Sequence, residues 1–154
     1  MSDPTPITKC APGPKKALER TLILLKPDCM ERRLAGAVLD RFQKAGLHLV
    51  ACKMLVLSPL LLRTHYAHLA KETFYINIEN FMRSRPIIAA ILEGGAAIEH
   101  VRTLLGATDP AIAETGTIRS DWGTDKMRNL CHASDSPQNA EAEIRRFFKP
   151  EEIF

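Results

Sequence analysis

His132 stands in the octet NLCHASDS (residues 129–136), between a short apolar run and a Ser-Asp-Ser-Pro sequence that reads as a helix entrance. Three chemistries are open to a histidine there. It can be a core residue whose ring is satisfied by backbone groups, the ordinary state of a lone histidine. It can ligate a metal beside Cys131, although adjacent residues of a strand point to opposite faces. Or it can attack phosphorus, since a neutral imidazole keeps a free lone pair on one ring nitrogen and needs no separate base. A carboxylate on the other nitrogen would fix the tautomer. Glu143 is the candidate, on the side of the final helical segment shared with Ala140 and Phe147. Taken alone it is equally an exposed helix glutamate.

Cationic residues supply the second half of such chemistry. Lys26 closes an apolar run, Arg102 lies in a helical stretch, Arg119 and Thr108 fall in a long irregular segment, and Lys126 and Arg128 stand just ahead of the histidine octet. Scattered surface charge is the plain reading of each. Their positions at strand ends and in a loop allow convergence, and converging ammonium and guanidinium groups suit a polyphosphate.

The elements that must position these residues follow from periodicity. RTLILLK (20–26), LHLVACKMLVL (47–57) and PIIAAILEG (86–94) read as buried strands, and RNLC (128–131) as a short fourth. Between the first two, Asp28 and Glu31 make a capping-box pattern ahead of a helix carrying Leu34, Val38, Leu39 and Phe42, stopped at Gly46. Ser58-Pro59 opens a helix with Leu62, Tyr66 and Leu69 on one face, and residues 78–84 form another. The AAIEHVRTLLG helix ends at Gly106, residues 106–127 have no clear period, and Ser136-Pro137 starts the last helix. The order β-α-β-α-α-β-α-β-α predicts a ferredoxin-like split βαβ fold: one four-stranded antiparallel sheet with helices on its faces.

The 154 residues suit one domain, with an N-terminal extension over 1–18, rich in proline and lysine and expected to be flexible. A net charge of +3 and only 6% aromatic residues argue against nucleic acid as the partner. No run is long and apolar enough to cross a membrane, no signal-peptide core is visible, and the four cysteines are scattered without metal-like grouping. A cytoplasmic chain with reduced thiols is the expectation.

NLCHASDS resembles the active-site motif of nucleoside diphosphate kinases, usually N-x-x-H-G-S-D-S. ERTLILLKPD, HYAHLAKETFY, LLGATDP with GTIRSDW, and EIRRFFKPEE resemble further blocks of that family in the same order, from residue 19 to the end. The resemblance implies reversible transfer of a γ-phosphate from a nucleoside triphosphate to a nucleoside diphosphate, in a ping-pong scheme through phosphohistidine. It implies His132 as nucleophile, Glu143 to orient it, and Ser134 to support the histidine loop. Lys26 and Tyr66 would attend the transferred group, Arg102, Thr108 and Arg119 the outer phosphates, Asn129 the ribose and Phe74 the base. Asp135 would reach a nucleotide-borne Mg²⁺ through water. A homo-oligomer is implied too, a hexamer rather than a tetramer, with GATDPAIAET resembling a loop that supports trimer contacts.

This sequence departs from the family pattern at Ala133 and Arg85, where glycine is usual, at Ile76-Asn77 after Phe74, at His68, and at Lys126 in place of a small apolar residue. Ala133 would strain the loop only if that position needs a positive φ. A catalytically silent nucleotide-binding module is the alternative those departures allow.

Overall fold

The computed structural model describes residues 17–154; of the extension expected over 1–18, residues 1–16 lie outside the described residues and Leu18 already belongs to the first strand. The first apolar run becomes β1 (Leu18–Leu25), buried without a break from Thr21 to Leu25. An unbroken buried run needs cover on both faces. The sheet order β2-β3-β1-β4 provides it by placing β1 inside, between β3 (Ile87–Gly95) and β4 (Cys131–Ala133), with β2 (His48–Leu55) on the far edge. Every pairing is antiparallel, as the ferredoxin-like order requires.

Alternation along β1 sorts the core in two. Ile23 and Leu25 pack with Val38 and Phe42 of α2 (Ala35–Lys44) and with Val101 and Leu105 of α5 (Ala97–Leu105). Leu22 and Leu24 face the other way, toward Leu62 of α3 (Pro59–His65), Met82 of α4 (Tyr75–Arg83) and Phe147 of α7 (Pro137–Phe147). Two short helices, α1 (Pro27–Glu31) and α6 (Ile118–Trp122), fill the corners beside β1 and β4.

Punctuation residues act largely as expected. The Ser58 hydroxyl accepts from the Leu61 amide and that of Ser136 from the Asn139 amide, each with proline next in line. Gly46 and Gly106 end their helices at φ +88° and +83°.

Four expectations need correction. The helix expected behind Asp28 is two, α1 with Lys26 as N-cap and α2 with Leu34 as N-cap, and the Asp28 carboxylate instead accepts from the Leu130 amide at 3.0 Å. The helix from Pro59 stops at His65, so Tyr66 is its C-cap and Leu69 lies in the turns that follow. β4 runs over Cys131–Ala133 rather than 128–131, because Leu130 takes φ +74° and a left-handed residue cannot join a ladder. Residues 106–127 are not all irregular: they hold a 3₁₀ turn, Pro110–Ile112, and α6.

Candidate active site

Register decides which way the histidine looks. His132 pairs with Leu24 and Cys131 with Leu25, and paired residues share a face. His132 therefore lies on the α3–α7 side and Cys131 on the α2–α5 side, which removes them as a joint metal site. Full burial pushes the Cys131 thiol up to about 12, so it is a neutral packing residue.

The Ser136 cap aims α7 so that Glu143 reaches the histidine. Glu143 Oε2 lies 3.2 Å from His132 Nε2 and accepts from the Ser134 hydroxyl at 2.6 Å. Ser134 is itself buried, and its hydroxyl also accepts from the Leu22 amide. Burial raises the Glu143 carboxyl, but the hydrogen bond and charge of His132 and the Ser134 bond outweigh it, leaving the carboxyl below its ordinary range. An ionised carboxylate only accepts, so the neutral ring carries its proton on Nε2 and its lone pair on Nδ1.

Lys26 follows β1 directly and donates from Nζ to Asn129 Oδ1 at 3.0 Å and to the Met127 carbonyl. Burial lowers its pKa to about 8; Asp28 opposes that shift and Arg119 adds to it. Asn129 uses its amide nitrogen on the carbonyls of Thr108 and Lys126, at 2.9 and 3.0 Å, drawing the long loop against β4. Arg119, only 8% exposed, donates to the carbonyls of Gly106, Cys131 and Asn129. It ties the end of α5 to the histidine strand and leaves a cation between them.

Ten residues singled out from the sequence line one pocket of about 890 Å³, Lys26, Tyr66, Phe74, Arg102, Thr108, Arg119, Asn129, His132, Asp135 and Glu143, while Ser134 and Arg128 are not among its lining. Arg102 and Thr108 are exposed on its wall, and Phe74 is 47% exposed. Burial raises the Tyr66 phenol, which stays a neutral donor. The Asn139 hydrogen bond lowers the Asp135 carboxyl, so it is ionised at neutral pH.

Two groups had no signal in the sequence. His65 stacks edge-to-face on His132 with centroids 4.6 Å apart, and Arg146 reaches His65 Nδ1 at 3.1 Å. His65, His132 and Glu143 offer ligand atoms within 4.8 Å of one another. A guanidinium already occupies the Nδ1 side, however, and a second cation there would be repelled.

A strand-borne histidine held by a half-buried carboxylate, in a pocket walled by lysine and arginine, suits phosphoryl chemistry. Residues 19–153 match the family model described as nucleoside diphosphate kinase. The chain belongs to that family. It is 46% identical over 136 residues to the nucleoside diphosphate kinase of Rhodopirellula baltica, covering 88% of this chain and 90% of the relative. The enzyme of Archaeoglobus fulgidus matches with the same identity and coverage. Among solved structures, the Aquifex aeolicus nucleoside diphosphate kinase superposes with a TM-score of 0.86 at 42% identity, covering 90% of this chain and all of that one. That of Encephalitozoon cuniculi gives 0.84 at 37%, over 87% and 91% of the two chains.

Two departures from the nucleoside diphosphate kinase pattern, His68 and Lys126, line the pocket wall, and with one exception none adjoins His132 or Glu143 in sequence. Ala133 is that exception, and it sits in β4 opposite Ile23 with no positive φ, so its methyl group strains nothing. Arg85 pairs with Glu31 on the surface, and Lys126 pairs with Asp109 at 3.6 Å. Ile76 and Asn77 lie in the first turn of α4.

Proposed function

We propose that this chain is a working nucleoside diphosphate kinase and not a silent binding module. It moves the γ-phosphoryl group of a nucleoside triphosphate to a nucleoside diphosphate, reversibly, and so balances nucleoside triphosphate pools. The observation that carries this reading is the His132–Glu143–Ser134 hydrogen-bond chain inside the cationic pocket.

In the first half-reaction His132 Nδ1 attacks the γ-phosphorus. The bond from phosphorus to the β,γ-bridging oxygen breaks, and its electrons leave on the diphosphate. Nδ1 gains phosphorus while Nε2 keeps its proton, so the ring becomes cationic and the Glu143 carboxylate stabilises it. No separate base is needed. The second half-reaction runs the same steps backwards from a different diphosphate, a double displacement. Charge in the loose transition state spreads over peripheral oxygens, which Lys26, Arg102 and Arg119 face as cations and Tyr66 and Thr108 as hydroxyl donors. Asn129 would share its amide between Lys26 and the ribose. Phe74 would stack on the base, and stacking is tolerant because every base has a π face.

Asp135 suits a hard divalent cation: it is ionised, lines the pocket, and is a lone carboxylate of the kind that holds Mg²⁺ through its water shell. Bound with the nucleotide, Mg²⁺ would neutralise phosphate charge. We further assign a homohexamer, supported by Ile112, 76% exposed in the loop that resembles a trimer contact. We place its action in the cytoplasm, where thiols stay reduced; among the described residues Cys29, Cys52 and Cys131 form no disulfide.

The test is incubation with γ-labelled ATP. The wild type should form an acid-labile, alkali-stable phosphoprotein that passes its label to added diphosphates, and His132→Ala should take up none. A wild type that binds nucleotide but never labels would sink the proposal.

A further inference from the structure

Outside the residues already given roles, the most constrained polar cluster joins α3 to α7 beneath the nucleophile. His65 ends α3, and its side chain is 1% exposed. Its ring is walled by Tyr66 at 4.7 Å, His132 at 4.6 Å and Phe147 at 5.3 Å, all edge-to-face. Its Nδ1 meets Arg146 Nη1 at 3.1 Å. A guanidinium can only donate, so Nδ1 must hold a lone pair and the ring must be neutral with its proton on Nε2. Burial, aided by His132 and Arg146 and opposed by Glu143, lowers its pKa to about 3, so it stays neutral at any working pH.

Arg146 lies three residues after Glu143 on α7, a spacing at which an acid and a base meet on a helix surface. The Glu143 carboxylate has Oε2 committed to His132 and Ser134, and Oε1 stands 4.0 Å from His65 Nδ1. Arg146 is thus a cation beside the one anion that orients the nucleophile. It is held on a histidine nitrogen instead.

We propose that His65 is a positioning residue: it anchors Arg146 through Nδ1 and keeps that guanidinium from pairing with Glu143, so the carboxylate's charge serves His132. The proposal rests on the phosphohistidine reading above. Without the Nδ1 acceptor, Arg146 would turn to Glu143, the hold on His132 Nε2–H would weaken, and the ring would sample unproductive tautomers and rotamers. His65 acts through other residues and touches no reacting atom.

The experiment is single-turnover labelling by γ-labelled ATP in wild type and three variants. His65→Phe keeps an aromatic wall but offers no acceptor, and should label at least about tenfold more slowly. His65→Gln restores an acceptor oxygen and should recover most of that loss. His65→Phe combined with Arg146→Ala should label faster than His65→Phe alone, because the competing cation is gone; a purely structural role for His65 predicts no such rescue. His65→Phe labelling at the wild-type rate, or a double variant no faster than the single, overturns the proposal. A fourth readout needs no variant to fold: the ¹⁵N imidazole spectrum of the wild type must show His65 neutral with its proton on Nε2, and the Nδ1–H form overturns the proposal. Wild-type labelling separately tests the phosphohistidine reading, so the two can fail independently.

Discussion

Lys26 and Glu143 show how the same fold tunes two charges in opposite ways. Burial makes the Lys26 ammonium easier to lose, with a pKa near 8, while His132 and Ser134 keep Glu143 ionised. The free enzyme should therefore lose kcat/KM above about pH 8 as Lys26 gives up its proton, and Lys26→Arg should remove that basic limb even if it lowers the plateau. A limb unchanged in Lys26→Arg would assign it elsewhere. The stability sign is separate. Below pH 8 both folded and unfolded chains hold the proton. From about 8 to the ordinary 10.5 only the unfolded chain does, so this group's contribution to stability rises with pH across that window. For Glu143, the Gln variant keeps size but loses the charge that steadies the cationic phospho-ring. Its phosphorylation rate should fall by about 10²-fold, with nucleotide binding changed far less, a split readable from single-turnover rates against equilibrium titration. Lys26 and Arg119 stood out in the sequence by their places, a lysine ending an apolar strand and an arginine in a long loop, whereas Tyr66, Phe74, Asn129 and Asp135 were legible only through the family resemblance. His65 and Arg146 were not visible. A histidine at a helix end and an arginine in a charged helix are ordinary until the fold stacks His65 on His132 and sets Arg146 on His65 Nδ1.

At the scale of elements, the site depends on how tightly the segment from Gly106 to Leu130 is tied to the sheet. Gly106 is a crossing point: its carbonyl accepts from Arg119, its φ is +83°, and an added Cβ would sit 2.4 Å from the Thr117 hydroxyl oxygen. Gly106→Ala should destabilise the protein by roughly 2 kcal/mol or more, the left-handed strain and the clash adding. Differential scanning calorimetry would measure it. Because Arg119 hangs on that carbonyl, activity should fall even in the folded fraction. Gly106→Ala with Thr117→Ser removes only part of the crowding, through one methyl, so recovery of stability should be partial. Helix stops such as Gly46 and Gly106, and caps such as Ser58 and Ser136, were legible because their chemistry is local. The fourth strand was misplaced for the opposite reason. Leu130 takes a left-handed conformation that no leucine announces, stabilised by the Asp28 carboxylate on its amide from 102 residues away in sequence. The same remote demand took Asp28 from the cap that its spacing suggested.

The whole molecule leaves apolar groups facing outward that the site does not use. β2 is an edge strand, and beside it Met54, Val56 and Leu60 are more than half exposed, while Ile112 is 76% exposed on the loop near Thr108. Edge strands and apolar loop tips left open invite uncontrolled association, so a stable protein covers them. In the hexamer proposed above, the 110–112 turn would be covered by neighbouring chains, and each buried isoleucine would contribute on the order of 1.5–3 kcal/mol. Ile112→Asp would replace that gain with a desolvated charge at every such contact. Sedimentation velocity should show the wild type as a particle of six chains and Ile112→Asp as a smaller species at the same protein concentration. The thermal midpoint should fall with it and become concentration-dependent. The Thr108 backbone is bound by Asn129 within the same chain, so the pocket should survive dissociation, with initial phosphate exchange retained and heat inactivation faster. A wild type that sediments as a tetramer or smaller, or an Ile112→Asp variant that remains a hexamer, would place the subunit contacts elsewhere, with β2 and its exposed Met54 the next surface to substitute.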